Sequence, residues 1–218
     1  MLKWLKTLAA ILLFPVCAGV ASALWRVIQA SRGSDSVWVA LVAGAGCWLV
    51  IYRLLPKPLW VYVLGHEVTH AISTWICGGR VIRFKVASRG GQVKVTKVNF
   101  FITLAPYFIP IYALAVGVVY ALGNWLWDWR PYAVWFHILL GAAYAFHVTL
   151  TWQVLGTRQS DLGQEGFFFA GVIIGLGNLV ALLFGVSWLT GDVALPTVCR
   201  WCGGETVRWV RWAGQLFR

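Results

Sequence analysis

Charged side chains are scarce in this chain. Asp, Glu, Lys and Arg make up only 11% of its 218 residues, and just seven of those are acidic. A soluble globular domain carries roughly a quarter charged residues, so a water-exposed fold of this length is excluded. The shortage is matched by an excess: 60% of the residues are hydrophobic and mean hydropathy is +0.75. Cysteines are few at five. Cys17, Cys47 and Cys77 lie in or at apolar segments, where a free thiol behaves as a small hydrophobe. Internal repeats and low-complexity stretches are absent.

What remains is a polytopic membrane protein. One crossing takes about 20 apolar residues on a helix, so the length allows five or six crossings and no sizeable soluble domain. The apolar runs fall at 7–29, 37–55, 59–77, 99–122, 131–152 and 167–189. They predict an all-α protein with about six transmembrane helices forming one domain over residues 1–190, multi-pass in the cell membrane. The first run is too long for a signal sequence core and is interrupted by Pro15, so it is expected to stay as a helix. Fifteen tryptophans suit this setting, because indole prefers the headgroup level; Trp25, Trp38, Trp60 and Trp188 fall near helix ends. The net charge of +11 sits mostly in connections and in the tail, which points to anionic lipid headgroups as a partner and away from nucleic acid.

One region is not helical. Residues 80–98 alternate apolar and basic side chains on either side of Ser88-Arg89-Gly90-Gly91, which predicts a β-hairpin after the third helix. The next helix contains Pro106 and Pro110, which kink it and release backbone carbonyls. In the tail, 191–218, a helix is expected from Glu205 to Arg218, where Trp209, Trp212, Leu216 and Phe217 lie on one side of a helical wheel and Arg208, Arg211 and Arg218 on another. That is the pattern of a helix in the headgroup plane.

Into the third apolar run are set His66-Glu67-Val68-Thr69-His70. Residues four apart on a helix share a face, so both imidazoles reach one metal ion, and the glutamate beside them can take a proton from a metal-bound water. Ionisable groups at membrane depth are costly unless they serve a purpose. A catalytic zinc ion commonly takes three protein ligands, and the remaining candidates are Asp161, Glu165, His147 and His137. Asp161 is the choice, since it follows the fifth helix closely, with Glu165 in reserve.

Taken together, the H-E-x-x-H helix, the following hairpin, the helix with Ala105-Pro106 and Asp161 two helices later resemble the site-2 protease family of intramembrane zinc metalloproteases. The resemblance covers residues 59–190 and is that of a divergent member: the family's Leu-Asp-Gly frame appears here as Gln159-Ser160-Asp161-Leu162-Gly163. It implies a three-helix core in which His66, His70 and an aspartate bind zinc, with Glu67 as the base and a transmembrane protein as substrate. His147 or Gln159 would donate to the oxyanion or contact substrate.

Two other classes fit the same residues. One is a membrane scaffold that keeps the metal site without catalysis; the other is a transporter using the buried acidic and histidine groups. Cys199-Arg200-Trp201-Cys202 has the spacing of half a zinc ribbon with no second pair, and reads as two idle thiols. The hairpin is expected to hold an extended substrate by strand addition. Proline substitutions along 81–97 should therefore impair cleavage more than zinc binding, measured side by side; equal loss of both would assign the hairpin to folding.

Overall fold

Proline and glycine set the helix ends. The computed structural model describes residues 3–87, 90–156 and 160–215. In chain order it has α1 (Lys3–Ala30), α2 (Asp35–Leu54), α3 (Leu59–Ile76), β1 (Val81–Ala87) and β2 (Gly90–Val95). There follow α4 (Phe100–Leu104), a 3-10 turn at Ala105–Tyr107, α5 (Ile111–Trp127) and a second 3-10 turn at Arg130–Tyr132. The rest is α6 (Ala133–Leu155), α7 (Ser160–Glu165), α8 (Phe167–Thr190) and α9 (Leu195–Gln215). The two strands form one antiparallel sheet, Phe84 opposite Val93 and Val86 opposite Gly91. The chain divides into two compact units, Met1–Asp35 with Ser160–Arg218, and Ser36–Gln159.

In the first unit α1 packs against α8 and α9. Polar contacts pin it at both ends. Lys6 Nζ donates to Glu165 at 2.6 Å, the Ser31 and Thr190 hydroxyls meet at 3.0 Å, and Ser34 Oγ donates to Asp192 at 2.6 Å. The tail helix begins ten residues before Glu205, at Leu195, with Pro196 in the first turn, where a missing N–H leaves no helical bond unmade. Its Glu205 is buried and accepts from Arg26 at 3.0 Å and from Arg208. Gly19 of α1 lies against Thr206, and Trp209 Nε1 donates to Ser22 Oγ at 3.0 Å. One face of this helix is thus held on α1, while Trp212 and Val210 stay exposed. The expected apolar residues Leu216 and Phe217, and Arg218, lie outside the described residues.

In the second unit α2 crosses α6 at two glycines. A Cβ on Gly44 would run into the main chain at Ile138, and one on Gly141 into the main chain at Leu41. Close backbone approach at small residues is how helices associate where no hydrophobic effect drives them together. Around this crossing Trp48, Tyr62, Phe146 and Leu150 form an aromatic-rich core, with Trp48 Nε1 donating to Thr149 at 2.8 Å. The third helix starts after Pro58 and ends in a Schellman turn. Gly78 has φ +71°, its N–H bonds Trp75 O at 2.9 Å, and Gly79 N–H bonds Thr74 O at 2.8 Å.

The polarity of the unit is inverted relative to a soluble protein. Glu67, Thr69, Ser73, Thr74, Thr103, His147 and Thr151 are buried, whereas Leu114, Val118, Val119, Leu139 and Trp152 are exposed. Four helices, α1, α2, α8 and the segment Arg130–Leu155, are long and apolar enough to cross a membrane, and their apolar windows are only 17–28% buried. Exposed apolar surface of this extent is compatible with a membrane setting. A fifth crossing is obtained if the bent pair Phe100–Tyr107 and Ile111–Trp127 counts as one. Among the described residues, four or five of the about six expected crossings are thus found by length and composition. The expected helix over 99–122 is broken and bent by 77°, and α3 carries two histidines and a glutamate among its 18 residues.

Replacing Gly141 with Val should cost about 2 kcal/mol or more, because main chain cannot yield as a side chain does. Replacing Gly175, which has nothing within 4 Å of its Cβ position, with Ala should be neutral or stabilising by about 0.5–1 kcal/mol. Unfolding of the two variants in detergent checks the difference.

Candidate metal centre

The α3 motif places its side chains as the 3.6-residue period requires. The rings of His66 and His70 stand edge to face with centroids 4.9 Å apart, and His66 rests in turn on the ring of Tyr107 at 5.2 Å. Gly65 makes room for this arrangement: a Cβ there would lie 2.6 Å from Cε2 of Tyr112 on α5. Tyr112 also donates its hydroxyl to Val61 O, so α5 is clamped to α3 one turn before the histidines. Two threonines beside the motif are satisfied within the helix, Thr69 donating to Gly65 O and Thr74 to His70 O, both at 2.8 Å.

His70 has a defined orientation. Its Nδ1 donates to the carbonyl of Ile102 at 2.7 Å, which makes Nε2 the unprotonated nitrogen, the tautomer a metal needs. The sequence explains why that carbonyl is available. In a continuing helix Ile102 O would accept from residue 106, but residue 106 is proline and has no N–H. The N–H of Ala105 is already bonded to Phe101 O. At the other end of the same short helix, Asn99 caps α4 by accepting from Ile102 N–H at 2.8 Å. Asn99 and Pro106 between them stop α4 after five residues and turn one of its carbonyls to His70.

Glu67 is 7% exposed, and the hairpin lies over it. Strands β1 and β2 both pack on α3, and Gly91 of β2 is so close that an added Cβ would sit 2.6 Å from the Glu67 Oε1. Only glycine permits this approach. The sequence signalled Gly90-Gly91 as turn residues; that Gly91 instead admits a carboxylate was not legible, because the contact joins residues 24 apart through a hairpin.

The other expected residues are distributed as follows. Asp161 lies in the first turn of α7, in the first unit. Glu165, the reserve ligand, is buried and engaged by Lys6 at 2.6 Å, so its carboxylate already serves an ion pair. His137 on α6 is half-buried beside Phe136, ring centroids 5.1 Å apart. His147 is buried on the same helix and lines a small cavity with His66. Gln159 lies outside the described residues. Asp128 is exposed and paired with Arg130, whose guanidinium holds the carboxyl below the usual range. Cys199 and Cys202 are free thiols on α9; burial, and then Cys199 beside it, push Cys202 up. No protein family, curated protein or solved structure matches the chain.

Pro106→Ala restores a helical donor that competes with His70 for Ile102 O. Outer partners of metal-ligating histidines are worth about 10–100-fold in affinity, so a divalent metal held by His70 should bind the variant more weakly in that range by competitive chelation. An unchanged constant would mean that Ile102 does not orient a ligand.

Proposed function

We propose that the chain is a zinc-dependent intramembrane peptidase of the site-2 protease type, a multi-pass protein of the cell membrane that hydrolyses peptide bonds of membrane-embedded proteins. The observation that carries this reading is the bond from His70 Nδ1 to the Ile102 carbonyl at 2.7 Å, with His66 stacked beside it. A core histidine needs only a partner; a ligand needs a partner on one nitrogen and an unobstructed lone pair on the other. We assign the third donor to Asp161, the acidic residue that follows the fifth apolar run closely in the sequence. Two imidazoles and a carboxylate suit zinc.

Bound there, zinc would supply Lewis acidity and a water of lowered pKa. The chain supplies the rest. Glu67, next to His66 on α3 and screened by Gly91, takes the proton of the attacking water and passes it to the leaving amine. The hairpin has two strands, so each keeps an unpaired edge, and an extended peptide added there would run beside Glu67. The substrate must arrive unwound, because a membrane helix has its backbone groups bonded internally. We count six crossings, α3 and the bent α4–α5 pair included, and anionic headgroups as the surroundings of the basic connections.

Glu67→Gln is the direct test. It should reduce cleavage of a co-expressed transmembrane substrate by about 10²–10⁴-fold with zinc content unchanged. Cleavage that survives the substitution would favour a scaffold or transporter that keeps the metal site.

A further inference from the structure

A second histidine also meets backbone of the broken segment, and the α3 motif does not use it. His147 on α6 is 6% exposed, and among the described residues its Nε2 has no hydrogen-bond partner. The backbone of Tyr107 bonds the same imidazole. The donors that a helix would send to Tyr107 O are missing or used elsewhere. Residue 110 is proline, and Ile111 N–H bonds Ile109 O at 2.9 Å. With one nitrogen donating to that carbonyl, Nε2 is left as a bare acceptor.

His147 and His66 line one cavity of about 10 Å³, close to what a single water molecule requires. The other polar groups on its wall are engaged. Tyr62 OH meets Thr151 Oγ1 at 3.2 Å, Thr69 Oγ1 donates to Gly65 O at 2.8 Å, and Tyr112 OH donates to Val61 O. Pro106, Ile109, Ile111 and Phe146 close the rest with hydrocarbon. A water here has a strong acceptor on one side and an imidazole on the other.

We propose that one ordered water fills this cavity, donates to Nε2 of His147 and hydrogen-bonds the His66 imidazole, making His147 a positioning residue for His66. The inference rests on the zinc reading given above and deepens it. Each zinc histidine then has its own outer partner, released by its own proline: the Ile102 carbonyl for His70 through Pro106, and His147 with its water for His66 through Pro110. His147 touches neither substrate nor metal; its part is to keep one ring from turning.

The test uses the full-length chain in detergent, with zinc and cobalt(II) as probes. His147→Phe fills the cavity and removes the acceptor, so it should bind zinc about 10–100-fold more weakly than wild type and shift the visible d–d bands of the cobalt-loaded protein. His147→Gln returns an acceptor oxygen and should recover most of the affinity and the wild-type bands. His147→Leu takes the place of the Phe variant if that protein does not fold. Zinc affinity and cobalt bands unchanged in His147→Phe or His147→Leu would overturn the proposal, as would a Gln variant no better than Phe. A wild-type protein that binds neither ion would instead bring down the zinc reading itself, and this inference with it.

Discussion

A hydrogen bond that a proline cannot make is the constraint on which this structure turns. Pro106 has no N–H for Ile102, so a carbonyl that would close a helical turn bonds His70 instead. The gain exceeds one oriented ring. Stopping α4 at Leu104 forces the 3-10 turn at Ala105–Tyr107 and the 77° bend into α5. That turn brings Tyr107 against His66 and its backbone to His147. A straight helix over the same residues would be a better membrane span with no polar backbone to offer. Irregular backbone at membrane depth is tolerated where protein surrounds it, and here Leu104, Ala105 and Tyr107 are fully buried.

The same trade recurs around α3. Burying Glu67 beside two histidines is unfavourable in isolation, and the neighbouring elements offset it by close approach. Gly65 lets α5 in from one side, and Gly91 lets the hairpin in from another. The outward surfaces carry none of this detail: they are exposed apolar side chains such as Leu12, Val42, Val118 and Trp135. The first unit follows another logic, with ion pairs at both ends of α1, Lys6 to Glu165 and Arg26 to Glu205. Glu165 is the instructive case, since an acidic residue close to a candidate ligand in sequence turns out to be neutralised by a lysine 159 residues away.

What the sequence revealed depended on range. Local punctuation was legible: Pro58 and Gly78 bound α3 as 59–76 against an expected 59–77, and alternation placed the hairpin within 80–98, where strands occupy 81–95. Pro106 and Pro110 announced a kink and released carbonyls, but not that the kink would become a break, because the bend also needs the Asn99 cap and a partner for the carbonyl. The tail helix was read from its basic amphipathic half and so started too late; Leu195–Gly204 carries too little periodicity to declare itself before Glu205 docks on α1. Contacts across the fold, Gly91 with Glu67 above all, have no local signature. The H-E-x-x-H spacing named the centre, and only packing revealed what holds it.

The central claim is that His66, His70 and Asp161 form a zinc site, and metal content tests it most directly. Purified wild-type protein, analysed by mass spectrometry for bound metal, should carry one zinc per chain, and His70→Ala and Asp161→Ala should carry almost none. Wild-type protein without zinc, or variants that retain it in full, would contradict the account.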